Sequence, residues 1–320
     1  MTIAVIGAGA FGTALACALA DAGNEVYLWS RSAQQAKTSA ATRTAPRLPD
    51  ITLPKGISPI SNLTTAADAK IVLLAVPAQK TAKFLAKHAA QLPNAPLVLC
   101  AKGIDLQSFQ LQSDIAATHA PDHSVAVLTG PGFATEIARG LPTALTLACE
   151  DAALGKSLQR QLSTDRLRLY LSTDAIGAQL GGALKNVIAI GAGIVIGAKL
   201  GESARAALMT RGFAEMRRLG TAMGGVDETF SGLSGLGDLT LTCGSTMSRN
   251  FAQGLAIGSG EIKSSGKTVE GVATAQAACT LAERHGIEMP VAQVVAAILS
   301  RKITVDEAID ALLSRPLKQE

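Results

Sequence analysis

Aromatic and charged residues are scarce in this chain. Phe, Tyr and Trp make up 3% of its 320 residues and Asp, Glu, Lys and Arg 17%, while hydrophobic types reach 48%. So few rings leave little material for the stacking platforms that hold single-stranded nucleic acid. Low charge with abundant aliphatics is the reverse of the composition that keeps a chain disordered. The 29 basic and 25 acidic residues give a formal charge of +4, and no block or stripe of Lys and Arg concentrates it. No nucleic-acid partner is expected; the small excess suits a few cations aimed at an anionic small molecule.

Cysteine is sparse too. Cys17, Cys100, Cys149, Cys243 and Cys279 are scattered and form no CxxC pair, so neither a disulfide framework nor a metal site is expected, and a cytoplasmic location is. Long apolar runs are missing. The run 187–198 falls short of the ~20 residues a bilayer-spanning helix needs. Residues 2–20 are uncharged and end in Ala18-Leu19-Ala20, as a cleaved leader would. They lack a basic start, however, and Gly7, Gly9 and Gly12 interrupt them. A soluble protein without membrane insertion is expected, with homodimerisation left open.

Glycine is in excess, 31 residues or about a tenth of the chain against a usual ~7%. Around it, near-continuous aliphatic runs at 2–6, 25–29, 71–76, 97–101 and 125–128 alternate with helix-length segments, the pattern of strands covered on both faces. Runs at 143–148 and 167–171 are expected as an antiparallel extension. The fold class is therefore α/β: an N-terminal Rossmann-type, doubly wound dinucleotide-binding domain over 1–172. From 173 to 320 only helical spacing recurs, at 176–195, 204–223, 249–257, 268–284, 291–300 and 305–313. An all-helical substrate and catalytic domain is expected there.

Gly7-Ala8-Gly9-Ala10-Phe11-Gly12 lies between the first strand and an apolar helix. In that context GxGxxG is a dinucleotide grip: one glycine makes the turn, one lets backbone approach a pyrophosphate, and one lets helix pack on sheet. At the end of the second strand, Ser30-Arg31-Ser32 stands where an NAD-selective site would offer an acid to the ribose hydroxyl. Arg31 can hold a 2′-phosphate instead, so both NADP and NAD are expected cofactors; the alternative is a solvated loop residue.

Lys185 is a single cation in the uncharged run 181–191. Burial would let it exchange a proton with a reacting oxygen, with Asn186 beside it to orient a substrate hydroxyl; the alternative is a lysine snorkelling at a rim. Asp238 is the only charge in the glycine-dense stretch 231–239, and Ser248-Arg249-Asn250 falls where a helix would begin. A cap, a cation and an amide there suit a phosphate, against the alternatives of an Asx turn and plain capping.

Taken in order, GAGAFGTALA at the start, Ala101-Lys102-Gly103, Thr129-Gly130-Pro131-Gly132-Phe133-Ala134, GGALKNVIAIGAG, AALMTRGFAEM, SGLGDLTLTC, SRN at 248–250 and VEG at 269–271 resemble the bacterial NAD(P)-dependent glycerol-3-phosphate dehydrogenase family over nearly the whole chain. The resemblance implies reversible reduction of dihydroxyacetone phosphate to sn-glycerol 3-phosphate for glycerophospholipid synthesis. It implies Lys185 as proton donor or acceptor, and Lys102 as a contact to cofactor and substrate that polarises the carbonyl. Gly130 and Gly132 would offer backbone groups to the substrate. Asp238 would hold Lys185 or a substrate hydroxyl, and Ser248, Arg249 and Asn250 would take the phosphate. Gly7, Gly9, Ala10, Phe11, Gly12, Arg31, Lys102, Ala134, Arg249, Thr268 and Glu270 match cofactor contacts. The chain departs from the family pattern at Ile196-Gly197, at Gly201-Glu202-Ser203, and at Ala10 and Gly132, which replace hydroxyl-bearing residues. Two further readings stay open: a dehydrogenase of the same plan acting on a 3-hydroxy acid or a 2-ketopantoate-like substrate, and a catalytically silent NADP sensor.

Overall fold

Strand β1 (Thr2–Ile6) is apolar throughout because both its faces are covered. Ile3 and Val5 enter one hydrophobic layer, Ala4 and Ile6 the other. The computed structural model describes residues 1–261 and 269–314. After β1 come β2 (Glu25–Trp29), β3 (Thr44–Ala45), β4 (Leu48–Thr52), β5 (Ile57–Ile60), β6 (Ile71–Leu74), β7 (Leu97–Leu99), β8 (Val125–Thr129), β9 (Thr143–Ala148) and β10 (Leu167–Ser172). The large sheet has the order β10-β9-β8-β7-β6-β1-β2-β5, and β3 with β4 forms a separate antiparallel hairpin. From β8 across to β5 every pairing is parallel; β9 is antiparallel to β8, and β10 parallel to β9. The chain builds outward from β1 to β5, then returns to add β6 on the other side of β1. This is the switch point at which open α/β sheets bind ligands, beyond the carboxyl ends of the strands.

The doubly wound sheet and its antiparallel extension match the expectation; β3, β4 and β5 were not anticipated. Pro49 and Pro59 lie within β4 and β5, and proline argues against a strand except at an edge, where β5 lies. Helices α1 (Ala10–Asp21), α2 (Ala33–Thr42), α3 (Thr81–His88), α4 (Gln112–His119), α5 (Ala134–Ala138) and α6 (Ala152–Leu162) complete this half. Leu15 of α1, Ile137 of α5 and Leu158 of α6 join the layer of Ile3 and Val5. Phe84 and Leu85 of α3 and Ile115 of α4 join that of Ala4 and Ile6.

Among the remaining described residues the regular elements are helical: α7 (Ala175–Gly197), α8 (Glu202–Ala222), α9 (Asp227–Phe230), a π-helical turn (Leu233–Gly237), α10 (Asp238–Cys243), α11 (Arg249–Gly258), α12 (Glu270–His285), α13 (Pro290–Leu299) and α14 (Val305–Leu313). Two compact units result, Met1–Lys102 with Gln110–Gln179, and Gly103–Phe109 with Leu180–Glu320. By packing, the division falls inside α7, and the loop after Lys102 goes with the helical unit; aperiodic loops carry no hydrophobic period to assign them.

At 23 residues α7 is long and apolar enough to cross a membrane, yet 94% of its most apolar window is buried in the protein. Glycines four apart let it meet α11 backbone to backbone. A Cβ on Gly193 or Gly197 would overlap the carbonyl oxygens of Phe251 and Leu255, and one on Gly254 or Gly258 those of Ile190 and Ile194. On α8, the buried Glu215 carboxylate accepts from the backbone N–H groups of Val291 at 2.7 Å and Ala292 at 3.1 Å. It thereby caps the positive end of α13 with a negative charge.

Candidate active site

In the nucleotide-binding unit the glycine turn follows β1 directly. Gly7 has φ +123°, and a Cβ there would sit 2.6 Å from the Ala75 carbonyl oxygen, while one on Gly12 would overlap the Gly7 oxygen. The protein itself demands these two glycines. Gly9 differs: its backbone is ordinary extended, at φ −76° and ψ 177°, and a Cβ would meet nothing within 4 Å. The room it leaves lies at the start of α1, where no acidic side chain occupies the first turn. This is space for an anion against backbone N–H groups, and it fits a dinucleotide pyrophosphate.

Arg31 is exposed at the end of β2. The serines beside it have duties of their own: Ser30 is buried and its hydroxyl donates to the Ser32 carbonyl at 3.0 Å. Ser32 caps α2, accepting from the Gln35 N–H at 3.2 Å. Lys102 donates to the Gly130 carbonyl at 2.6 Å, and its ammonium lies 5.7 Å from the centroid of the Phe11 ring. The structure thus joins three of the expected residues in one unit. The Gly130 carbonyl serves Lys102, in the conformation at φ +125° that glycine allows. At Gly132 a Cβ would come 2.9 Å from Ile137 Cδ1, the far end of a flexible side chain. Ala134 opens α5. Beneath Lys102, burial pushes the Cys100 thiol up to about 12, with the nearby ammonium opposing the shift.

In the helical unit Lys185 is 7% exposed and Asp238 1%. The ammonium lies 3.1 Å from Asp238 Oδ1 and donates to Thr242 Oγ1 at 2.6 Å. The Thr242 hydroxyl in turn donates to Asp238 Oδ1 at 3.2 Å. Lys185 is therefore paired and buried, not snorkelling. The π-helical turn places this carboxylate. A Cβ on Gly181 would come 2.8 Å from the Ser234 carbonyl oxygen, so the turn rests on the α7 backbone and α10 begins alongside Lys185. Thr242 was not foreseen; its one signal was its place a single helical turn after Asp238. Burial pushes the adjacent Cys243 thiol to about 12, against the opposing charges of Lys185 and Arg205.

Asn186 is also buried. Its Oδ1 accepts from Asn250 Nδ2 at 2.8 Å, and Asn250 Oδ1 accepts from the Gly271 N–H at 3.1 Å, which ties the start of α11 to the start of α12 and Glu270. Ser248 caps α11, accepting from the Phe251 N–H at 3.2 Å, and Arg249 is exposed at the helix's first residue. Ser248, Arg249 and Asn250 thus stand together where backbone N–H groups favour an anion. Thr268 lies outside the described residues.

Two family models match the chain: the NAD-dependent glycerol-3-phosphate dehydrogenase N-terminus over residues 2–155 and the C-terminus over residues 174–310. The chain belongs to the NAD-dependent glycerol-3-phosphate dehydrogenase family. A glycerol-3-phosphate dehydrogenase (NAD(P)+) of Paracoccus denitrificans is 56% identical over the full length of both chains. One from Ruegeria is 53% identical over 100% of each. The crystal structure of the Coxiella burnetii glycerol-3-phosphate dehydrogenase superposes with a TM-score of 0.93 at 36% identity, covering 98% of this chain and 99% of that one. The chain therefore presents a glycine turn suited to a dinucleotide in one unit, and a buried Lys-Asp-Thr cluster and a cationic helix start in the other.

Proposed function

We propose that the chain reduces dihydroxyacetone phosphate reversibly to sn-glycerol 3-phosphate with NADPH or NADH, and that Lys185 is its proton donor and acceptor. The buried Lys185–Asp238–Thr242 cluster carries this reading. A charged side chain is seldom placed in an apolar helix and fully satisfied for stability alone, since an apolar replacement does as well or better. The bound nicotinamide supplies the hydride. As negative charge grows on the C2 oxygen, Lys185 delivers a proton to it, and Asp238 and Thr242 hold the ammonium in line. In the reverse direction Lys185 takes the hydroxyl proton. Lys102 is assigned to the cofactor and the substrate carbonyl, with Gly130 and Gly132 as backbone contacts. Ser248, Arg249 and Asn250 are assigned to the phosphate, so binding energy from the unreacting end of the substrate fixes the reacting one.

Gly7, Gly9, Ala10, Phe11, Gly12, Arg31, Ala134 and Glu270 are assigned to the cofactor, together with Lys102 and Arg249, and Arg31 makes NADP acceptable. The small phosphorylated substrate, the five free cysteines and the modest charge support a cytoplasmic enzyme that feeds glycerophospholipid synthesis and needs no nucleic-acid or membrane partner. Arg249→Ala should raise the KM for dihydroxyacetone phosphate severalfold; an unchanged KM refutes the phosphate assignment. Equal turnover of unphosphorylated ketones would favour a hydroxy-acid or ketopantoate-type dehydrogenase instead.

A further inference from the structure

Gly201 caps α8 and Glu202 opens it, and a cation follows in an unfavourable place. Arg205 is the fourth residue of α8, where the positive end of the helix dipole disfavours a positive side chain. Its guanidinium serves another helix. One terminal nitrogen donates to the Cys243 carbonyl at 3.0 Å, the other lies 2.6 Å from Glu202 Oε2, and Nε is buried without a hydrogen-bond partner among the described residues. Cys243 ends α10, and carbonyls at a helix C-terminus favour a cation.

Helix α10 has six residues, too few to hold its own shape. It nevertheless carries both Asp238 and Thr242, and Cys243 is the next residue after Thr242. We propose that Arg205, oriented by Glu202, is a positioning residue for the reaction: by gripping the Cys243 carbonyl it fixes the end of α10 and with it the hydroxyl that receives the Lys185 ammonium. Arg205 touches neither substrate nor cofactor in this scheme. Its role rests on Lys185 being the proton donor. The Glu202 side chain is 72% exposed, so the Arg205–Glu202 pair contributes little to stability, and the bond to the Cys243 carbonyl is a single hydrogen bond, so variants at either position should fold.

The test compares Arg205→Met, Arg205→Lys and Glu202→Gln, with Lys185→Met assayed in parallel. Arg205→Met should lower kcat for dihydroxyacetone phosphate about tenfold, since a carbonyl displaced by a fraction of an ångström misaligns the proton donor. Its KM for NADPH should stay at the wild-type value, and its melting temperature should fall by no more than the few degrees that one lost hydrogen bond explains. Arg205→Lys should recover most of the rate, because an ammonium can still reach the carbonyl, and Glu202→Gln should fall between. A wild-type kcat in Arg205→Met, with Lys185→Met inactive, overturns the positioning role and leaves the lysine's role standing. So does a rate loss that Arg205→Lys fails to recover, or one explained by unfolding of the variant at the assay temperature. An active Lys185→Met overturns the underlying reading instead.

Discussion

Neutralising Asp238 should destabilise the helical unit through Lys185, and neutralising both residues should restore part of the loss. The ammonium and the carboxylate are 3.1 Å apart, with Lys185 7% and Asp238 1% exposed. At an effective dielectric constant of roughly 20 their gross attraction is about 5 kcal/mol, offset by the cost of removing both from water. Asp238→Asn keeps the shape and leaves Thr242 an acceptor, but strands a buried ammonium, at a cost of about 3–5 kcal/mol. In a unit of this size that is a fall of roughly 10–15 °C in melting temperature. Lys185→Met strands the carboxylate and should cost about as much. The double variant removes both charges, so the two losses should fall short of adding by at least ~2 kcal/mol. Calorimetry on the four proteins, at one pH and without cofactor, provides the cycle. Additive losses would mean that the two charges do not depend on each other, and the account of the cluster would fail.

The glycine turn supplies a contrast within one motif. Gly9→Val should leave the melting temperature unchanged and weaken NADPH binding more than tenfold, because its Cβ meets only the space assigned to the pyrophosphate; isothermal titration and a thermal melt read the two effects. Gly12→Ala should do the reverse first, losing stability through its overlap with the Gly7 carbonyl. Arg31→Ala should lower the kcat/KM ratio for NADPH over NADH, measured by initial rates. Burial pushes the thiols of Cys100 and Cys243 up to about 12, so at pH 8 they are protonated and poor nucleophiles. Both should resist alkylation in the native enzyme and react once urea unfolds it, as mass spectrometry of the labelled peptides would show.

Much of this fold can be read from pattern alone. Glycines after a strand and before a helix announce the nucleotide turn, and six helical segments of the second half appear within a few residues of their expected places. Strand β5 is hidden because Pro59 is acceptable only at an edge, and edge position is a property of the whole sheet. Lys185 and Asp238 stand out as lone charges in apolar or glycine-rich runs. Thr242 does not, since a threonine in a short helix is ordinary until Asp238 and Lys185 are folded against it. Arg205 is harder still. Its placement conflicts with the preference of its own helix, and only the neighbouring carbonyl of Cys243 explains it. The loop Gly103–Phe109 has no periodicity that could assign it to a unit.

The proton transfer assigned to Lys185 is tested most directly by Lys185→Met, with NADPH binding and dihydroxyacetone phosphate reduction measured on the same preparation. An unchanged NADPH dissociation constant, with turnover lowered by several orders of magnitude, is the predicted result. Turnover within tenfold of the wild type would contradict the account.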